Sequence, residues 1–270
     1  MLTGFGKLIL YFVVCLLVML PLFGCGVSPP SSVPSREMLI YCGITMVRPI
    51  QALAEIFQKR HNCVIKIIKG GSGDLYKAIE LAQKGDLYLP GEASYMDSCF
   101  SDGLCRSFVR VGFNRAVMVV KKNNPRNVPA DLKALTDRSF QVVIADPDTG
   151  SIGREAKKVL ERAGLINQVM ANGPIFTTDS KDITKVLEIG HADVGINWRA
   201  TTFWPENSEI VDGIAIPLEY APKTSLLLGI LSYSRHPDLA QEFMKFAASA
   251  EGREVFEKFG FEPSAEANGI

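Results

Sequence analysis

No stretch of this 270-residue chain is strongly basic; 29 Lys and Arg stand against 29 Asp and Glu, for a formal net charge of zero. A nucleic-acid partner needs a positive surface that displaces counterions, so that class is set aside. Histidine is scarce as well. His61, His191 and His236 are scattered, without Cys or Asp at ligand spacing beside them, and nothing resembles a zinc motif. No nucleophile-elbow pattern is present, although a Ser-His-Asp or Cys-His pairing can also assemble from residues distant in sequence. No metal and no cofactor is expected. Internal repeats are absent too, and the one low-complexity tract is short and rich in Pro and Ser.

What the chain does have begins at its start. After Lys7 runs LILYFVVCLLVMLPLFGC, an apolar stretch of signal-peptide length that Pro21 interrupts and that is too short to span a bilayer comfortably. Its end, Leu22-Phe23-Gly24-Cys25, resembles a bacterial lipobox, in which the cysteine is lipidated and becomes the first mature residue. Phe23 is bulkier than that pattern prefers, and a plain membrane anchor is the alternative. Either way the remainder is delivered outside the cytoplasm. Residues 1–25 are thus read as a lipoprotein signal peptide and 26–37 as a Pro/Ser tether. The folded part starts near Met38.

Four cysteines remain beyond Cys25: Cys42, Cys63, Cys99 and Cys105. An oxidising compartment favours disulfides, and Cys99 with Cys105 closes a short loop that a bridge can span. Cys42 and Cys63 would sit at opposite ends of neighbouring parallel strands. About four residues of offset is about 13 Å, beyond disulfide reach. Both are expected as buried free thiols.

From Met38 onward, β-rich runs alternate with helical periodicity, which argues for an α/β fold with parallel sheets and crossover helices. MLIYCGI is a strand, followed by a helix that Pro49 opens, with Ile50, Leu53, Ala54 and Phe57 inward. Val64–Ile68 is a strand and Leu75–Gln83 a helix. NRAVMVVKK, FQVVIADPDTG and ADVGINW read as strands; GREAKKVLERAGL and KDITKVLEIG read as helices. TSLLLGILSYS is one long strand or a pair, and two helices close the chain.

Between the strand at 64–68 and its helix sits Gly70-Gly71-Ser72-Gly73. Small-residue turns recur at Gly43–Thr45 and Thr149–Gly153. Each places free backbone N–H groups and a positive dipole end at the start of a helix. Such a turn is either a bare structural bend or a seat for an anion. Several of them facing one crevice beyond the strand ends would favour the second reading.

These residues resemble a known family. YCGITMVRPIQALAEIFQKRHNCVIKIIKGGSGDLYKAIE is similar to the opening of periplasmic molybdate/tungstate-binding proteins of ABC importers. DLYLPGEASYMD, ADPDTGSIGREAKKVLERAGL, EIGHADVGINW and the segment from Ile230 to Phe261 extend the likeness over essentially the whole mature chain. The resemblance implies a two-lobed periplasmic binding protein fold (type II) with parallel-sheet lobes joined by two hinge crossings, near Gly112–Arg115 and Pro217–Lys223. Lobe 1 would comprise 38–113 and 220–270, lobe 2 residues 114–219. It also implies oxyanion contacts at Thr45 and Ser72, at the Ile152 backbone N–H, around Ser180, and at Trp198. Trp198 stands where the family has Tyr, and Thr45 where it has Ser.

Other readings of the same residues stay open. Thr45 and Ser180 are good helix N-caps, and Trp198 is a good core residue. Arg48 and Arg199 lie close enough in sequence to fork onto an oxyanion, or are solvated surface charges. Asp146 before Pro147 reads as a turn-former. The resemblance implies an extracytoplasmic, lipid-anchored protein that captures a molybdate- or tungstate-like anion and passes it to an ABC permease, without bond chemistry. The alternatives are the same fold as a sensory input to a membrane signalling protein, or an extracellular enzyme working through Cys42.

Overall fold

The computed structural model describes residues 36–263. The signal peptide, Cys25 and all but the last two tether residues lie outside the described residues.

Strand β1 (Glu37–Gly43) runs through a 3-10 turn (Ile44–Met46) into helix α1 (Val47–His61), which buries Ile50, Leu53, Ala54 and Phe57. Asn62, left-handed at φ 45°, ends it. Strand β2 (Val64–Gly70) and helix α2 (Ser72–Ala82) follow, then β3 (Leu87–Leu89), α3 (Ala93–Ser101) and β4 (Cys105–Asn114). The chain continues as β5 (Ala116–Lys121), β6 (Val142–Ala145), α4 (Ser151–Arg162), α5 (Ile166–Ala171), β7 (Ile175–Thr177), α6 (Ser180–Glu188), β8 (Val194–Trp198) and β9 (Val211–Ala215). It closes with β10 (Thr224–Leu231), a single strand, and with α7 (Pro237–Ala248) and α8 (Ala250–Lys258).

These strands form two five-stranded sheets, ordered β2-β1-β3-β10-β4 and β7-β6-β8-β5-β9. Each sheet is the floor of one lobe. The chain passes between them twice, at Arg115 and through residues 216–223. The sheets are mixed, which corrects the expectation of purely parallel lobes. β10 is antiparallel to β3 and β4, and β5 is antiparallel to β8 and β9. The reason is the double crossing. Thr224 pairs with Asn114 at the point of passage, so the returning strand lies against the departing one and must run the opposite way.

Glu262 ties the two passages together. Its carboxylate takes Arg115 Nε at 3.2 Å and Lys223 Nζ at 2.5 Å, and its backbone pairs with Phe113 in both directions. In the first lobe Phe57, Phe243 and Phe256 sit in one apolar cluster and Leu75, Ile79 and Tyr88 in another. The second lobe has one cluster, from Val117–Val120 to Ile196 and Trp198.

Cys99 and Cys105 are bridged, with Cα atoms 5.3 Å apart, which fastens α3 to β4. Cys42 and Cys63 are free and buried. β1 and β2 are parallel, with Cys42 opposite Lys69 and Glu37 opposite Val64, so the two thiols flank opposite ends of the pair. Among the described residues no helix is long and apolar enough to cross a membrane.

Candidate functional site

Six features at the carboxyl ends of strands converge between the lobes. From the first lobe come the 3-10 turn after β1, the start of α2 after β2, and Gly91 just beyond β3. The second contributes the starts of α4 and α6 and the last residue of β8. A cavity at their meeting point is lined by Thr45, Gly71, Ser72, Ser151, Ile152 and Ser180, together with Ile44, Gly70, Gly150 and Asp179. Thr45, Ser72, Ile152 and Ser180 are thus brought together as a set from positions up to 135 residues apart. The cavity is about 10 Å³, the scale of one water molecule, so the lobes lie closed on each other.

The glycine run explains how they approach so closely. A Cβ on Gly71 would stand 2.7 Å from the Thr149 carbonyl oxygen of the opposite lobe, and one on Gly91 would overlap Ser151 Oγ. Backbone meets backbone across the cleft because these positions carry no side chain.

Hydrogen bonding at the site is dominated by donors. Ser72 begins α2, and its Oγ accepts from Gly91 N at 2.9 Å. That leaves its hydroxyl proton to donate. Thr45 Oγ1 reaches only the soft acceptor Met46 Sδ, at 3.0 Å, and does not cap α1. Ile152 is the second residue of α4, where the backbone N–H has no intrahelical partner. Ser180 does not cap α6 either; Asp179 does, its Oδ1 accepting from Lys181 N and Asp182 N. Ser180 begins that helix, and its carbonyl accepts from Asn197.

Trp198 is fully buried, and its Nε1 donates to Ser151 Oγ at 3.3 Å. The indole therefore meets the cavity through Ser151 instead of lining it. The two arginines are engaged elsewhere. Arg48 pairs with Glu206 and stacks on Trp204, with its guanidinium 5.3 Å from the ring centre. Arg199 Nη1 donates to the Gly260 carbonyl at 2.7 Å and stacks on Phe203. No Lys or Arg is among the lining residues.

Beside the cavity α4 grips the first lobe. Lys158 Nζ lies 2.8 Å from the buried carboxylate of Glu92, and Arg154 sits 3.8 Å over the Tyr95 ring. Between these two residues, Glu155 is 3 % exposed, with Arg162 Nη1 at 3.5 Å. Burial pushes the Glu155 carboxyl above its usual range, and the Arg162 charge offsets this only in part. An acid whose pKa is raised on folding contributes stability that is full below its unfolded value, about 4.3. That stability is lost as pH rises through the folded value. Glu155→Gln is therefore expected to melt above the wild type at pH 7, and the gap is expected to close near pH 4. Thermal melts at the two pH values check this; an unchanged gap at both would rule it out.

Sequence reasoning passed over Ser151, Gly91 and Asp179. Ser151 lay within the small-residue turn at 149–153, so a signal for it existed. Gly91 and Asp179 carried none, because their roles depend on what faces or follows them in space.

Residues 38–262 match the family model described as bacterial extracellular solute-binding protein. The chain belongs to this family. A Bacillus subtilis chain that carries the name of an ABC transporter substrate-binding lipoprotein is 25 % identical, covering 93 % of this chain and 96 % of that one. The molybdate-binding protein ModA of Mycobacterium tuberculosis is 21 % identical over 89 % and 92 %. Among solved structures, the Azotobacter vinelandii periplasmic molybdate-binding protein aligns with TM-score 0.73 at 16 % identity, covering 84 % of this chain and 99 % of that one. The sulfate-binding protein SubI of Mycobacterium tuberculosis aligns with TM-score 0.76 at 15 % identity, over 86 % and 88 %. These likenesses establish the fold of the solute-binding protein.

Solute-binding proteins hold and hand over, and members of the ABC-transporter type deliver their ligand to a permease. They are not enzymes. In keeping with that, Cys42 is fully buried and its thiol is pushed up by burial, which leaves little thiolate for nucleophilic chemistry.

Proposed function

We propose that this solute-binding protein captures a tetrahedral oxyanion of the molybdate or tungstate type between its lobes and delivers it to an ABC permease. One observation carries the proposal: hydroxyls and helix-start N–H groups from both lobes converge on a single cavity lined by no Lys or Arg. Fixed dipoles at helix N-termini suit a dianion without formal counter-charge. Each hydrogen bond to a charged group contributes about 1.5–3 kcal/mol net, so a handful reach micromolar to nanomolar affinity after association costs. Asp179 is the one lining carboxylate, and it is turned back onto its own helix as a cap. The molybdate-binding relatives support the choice of anion.

In the same reading, the lobes divide as 38–113 with 220–270 and 114–219, and they close over the anion by bending at the two passages. Thr45, Ser72, Ser180 and the Ile152 N–H contact the ligand. Residues 1–25 are a signal peptide, Cys25 is lipidated, and 26–37 tether the protein to the outer face of a membrane; the Bacillus subtilis lipoprotein name supports this.

The test is a thermal-shift panel on the domain from Met38 with molybdate, tungstate, sulfate and phosphate. A ligand at 100 times its Kd adds about 2.7 kcal/mol, a rise of several degrees. Shifts with molybdate and tungstate alone are expected. A shift with sulfate or phosphate alone would move the specificity, and none across the panel would overturn the oxyanion reading.

A further inference from the structure

We propose that Ser151 is a ligand-contacting hydroxyl of the cleft, and that Trp198 is the positioning residue that aims it. This rests on reading the cleft as an oxyanion site.

An indole N–H can only donate, whereas a serine hydroxyl has one proton and two lone pairs. Trp198 is fully buried at the end of β8, so its Nε1 needs an acceptor, and Ser151 Oγ supplies it at 3.3 Å. Accepting that bond turns a lone pair of Ser151 toward the core and its proton away from it. Ser151 is itself only 8 % exposed, lines the cavity, and donates to no partner among the described hydrogen bonds. Its proton is therefore available to a bound acceptor.

The first lobe repeats the device. Ser72 Oγ accepts from Gly91 N, which leaves its own proton free in the same way. Gly91 lies between the two hydroxyls: a Cβ placed there would overlap Ser151 Oγ and stand 3.6 Å from Ser72 Oγ. Both hydroxyls line the same cavity, one from each lobe, so an oxyanion bound there is held by both only once the lobes close around it. Phenylalanine at 198 would fill most of the indole's space without supplying the donor, and the Ser151 hydroxyl would then be free to rotate.

The test uses sodium tungstate and isothermal titration calorimetry on Ser151→Ala, Trp198→Phe, the double variant and Ser72→Ala. We expect Ser151→Ala and Ser72→Ala each to raise Kd at least about 10-fold. Trp198→Phe is expected to raise it less, and the double variant to bind no worse than Ser151→Ala alone, since the tryptophan acts through the serine. Should Trp198→Phe fail to fold, Trp198 emission is read instead in a Trp204→Phe background. Tungstate is expected to shift that emission, and the shift is expected to vanish when Ser151→Ala is added. Wild-type affinity in Ser151→Ala alongside a weakened Ser72→Ala would overturn the proposal and leave the cleft reading standing. Additive losses in the double variant, or an emission shift that persists without Ser151, would overturn the positioning role. A wild type that takes no tungstate would overturn both readings together.

Discussion

Gly91→Val is expected to weaken the proposed oxyanion binding by about 100-fold or more, equivalent to about 2.7 kcal/mol, while the melting temperature moves by only a few degrees. The added Cβ would overlap Ser151 Oγ and come within 3.1 Å of Ser151 Cβ. Those atoms belong to the start of α4, a helix start on the other lobe, so the clash is relieved by parting the lobes and not by disturbing either core. The backbone at Gly91 is not in the left-handed region, so a side chain is tolerated locally. Calorimetry against tungstate reads the affinity. Small-angle scattering reads the shape, which should stay extended at saturating anion. A variant that closes and binds like the wild type would show that the lobes accommodate bulk at this contact.

Gly153→Ala is expected to do the reverse and strike the fold. Gly153 lies in the first turn of α4 and packs on the Asp146-Pro147 turn. A Cβ there would overlap the Asp146 carbonyl and lie 2.6 Å from Pro147 N. These are backbone atoms of one lobe, pinned by the Asx turn in which Asp146 Oδ1 accepts from Asp148 N. The strain cannot be relieved by lobe motion. Overpacking of this kind costs about 1–3 kcal/mol, and more where only backbone can yield. In urea, the midpoint is expected to fall with the slope unchanged. An unchanged midpoint would mean that α4 shifts freely, and the site geometry would then need another anchor. Two glycines on either side of one helix start thus give opposite signatures, one in binding and one in stability.

Local pattern carried much of this architecture. α1, α4 and α6 were readable because their buried residues recur every three or four positions, as with Ile152, Ala156, Val159 and Leu160. β10 was readable as an apolar run. β4 was not, since Arg106 and Arg110 interrupt it and it lies on a sheet edge with one side in water. β7 is three residues long and half exposed, too short for any period to show. The antiparallel pairing of β5 with β8 and β9 joins residues 74 to 98 positions apart, and no local pattern encodes it.

The site divides the same way. Ser72 and its glycines announced a helix start open to an anion, but the reason for the glycines lies in Thr149, from the other lobe. Thr45 and Ser180 looked like caps because the residue type suits a cap. The structure gives that task at α6 to Asp179 and leaves α1 without a side-chain cap. Trp198 read as a ligand donor by resemblance, and only its distance to Ser151 shows that it has a nearer acceptor. Arg48 and Arg199 were near in sequence, yet their partners Glu206 and Gly260 are set by the packing of the two lobes.

The closeness of the lobes has a consequence in time. With Thr149 lying over Gly71 and Ser151 against Gly91, the proposed anion would have no exit until the lobes separate. Its dwell time would then follow the contacts between the lobes that must break first, among them Glu92 with Lys158, Arg48 with Glu206 and Arg199 with Gly260, along with its own hydrogen bonds. A permease that levered the lobes apart would break all of these at once. It would turn a slow reservoir into a fast donor without ever touching the anion.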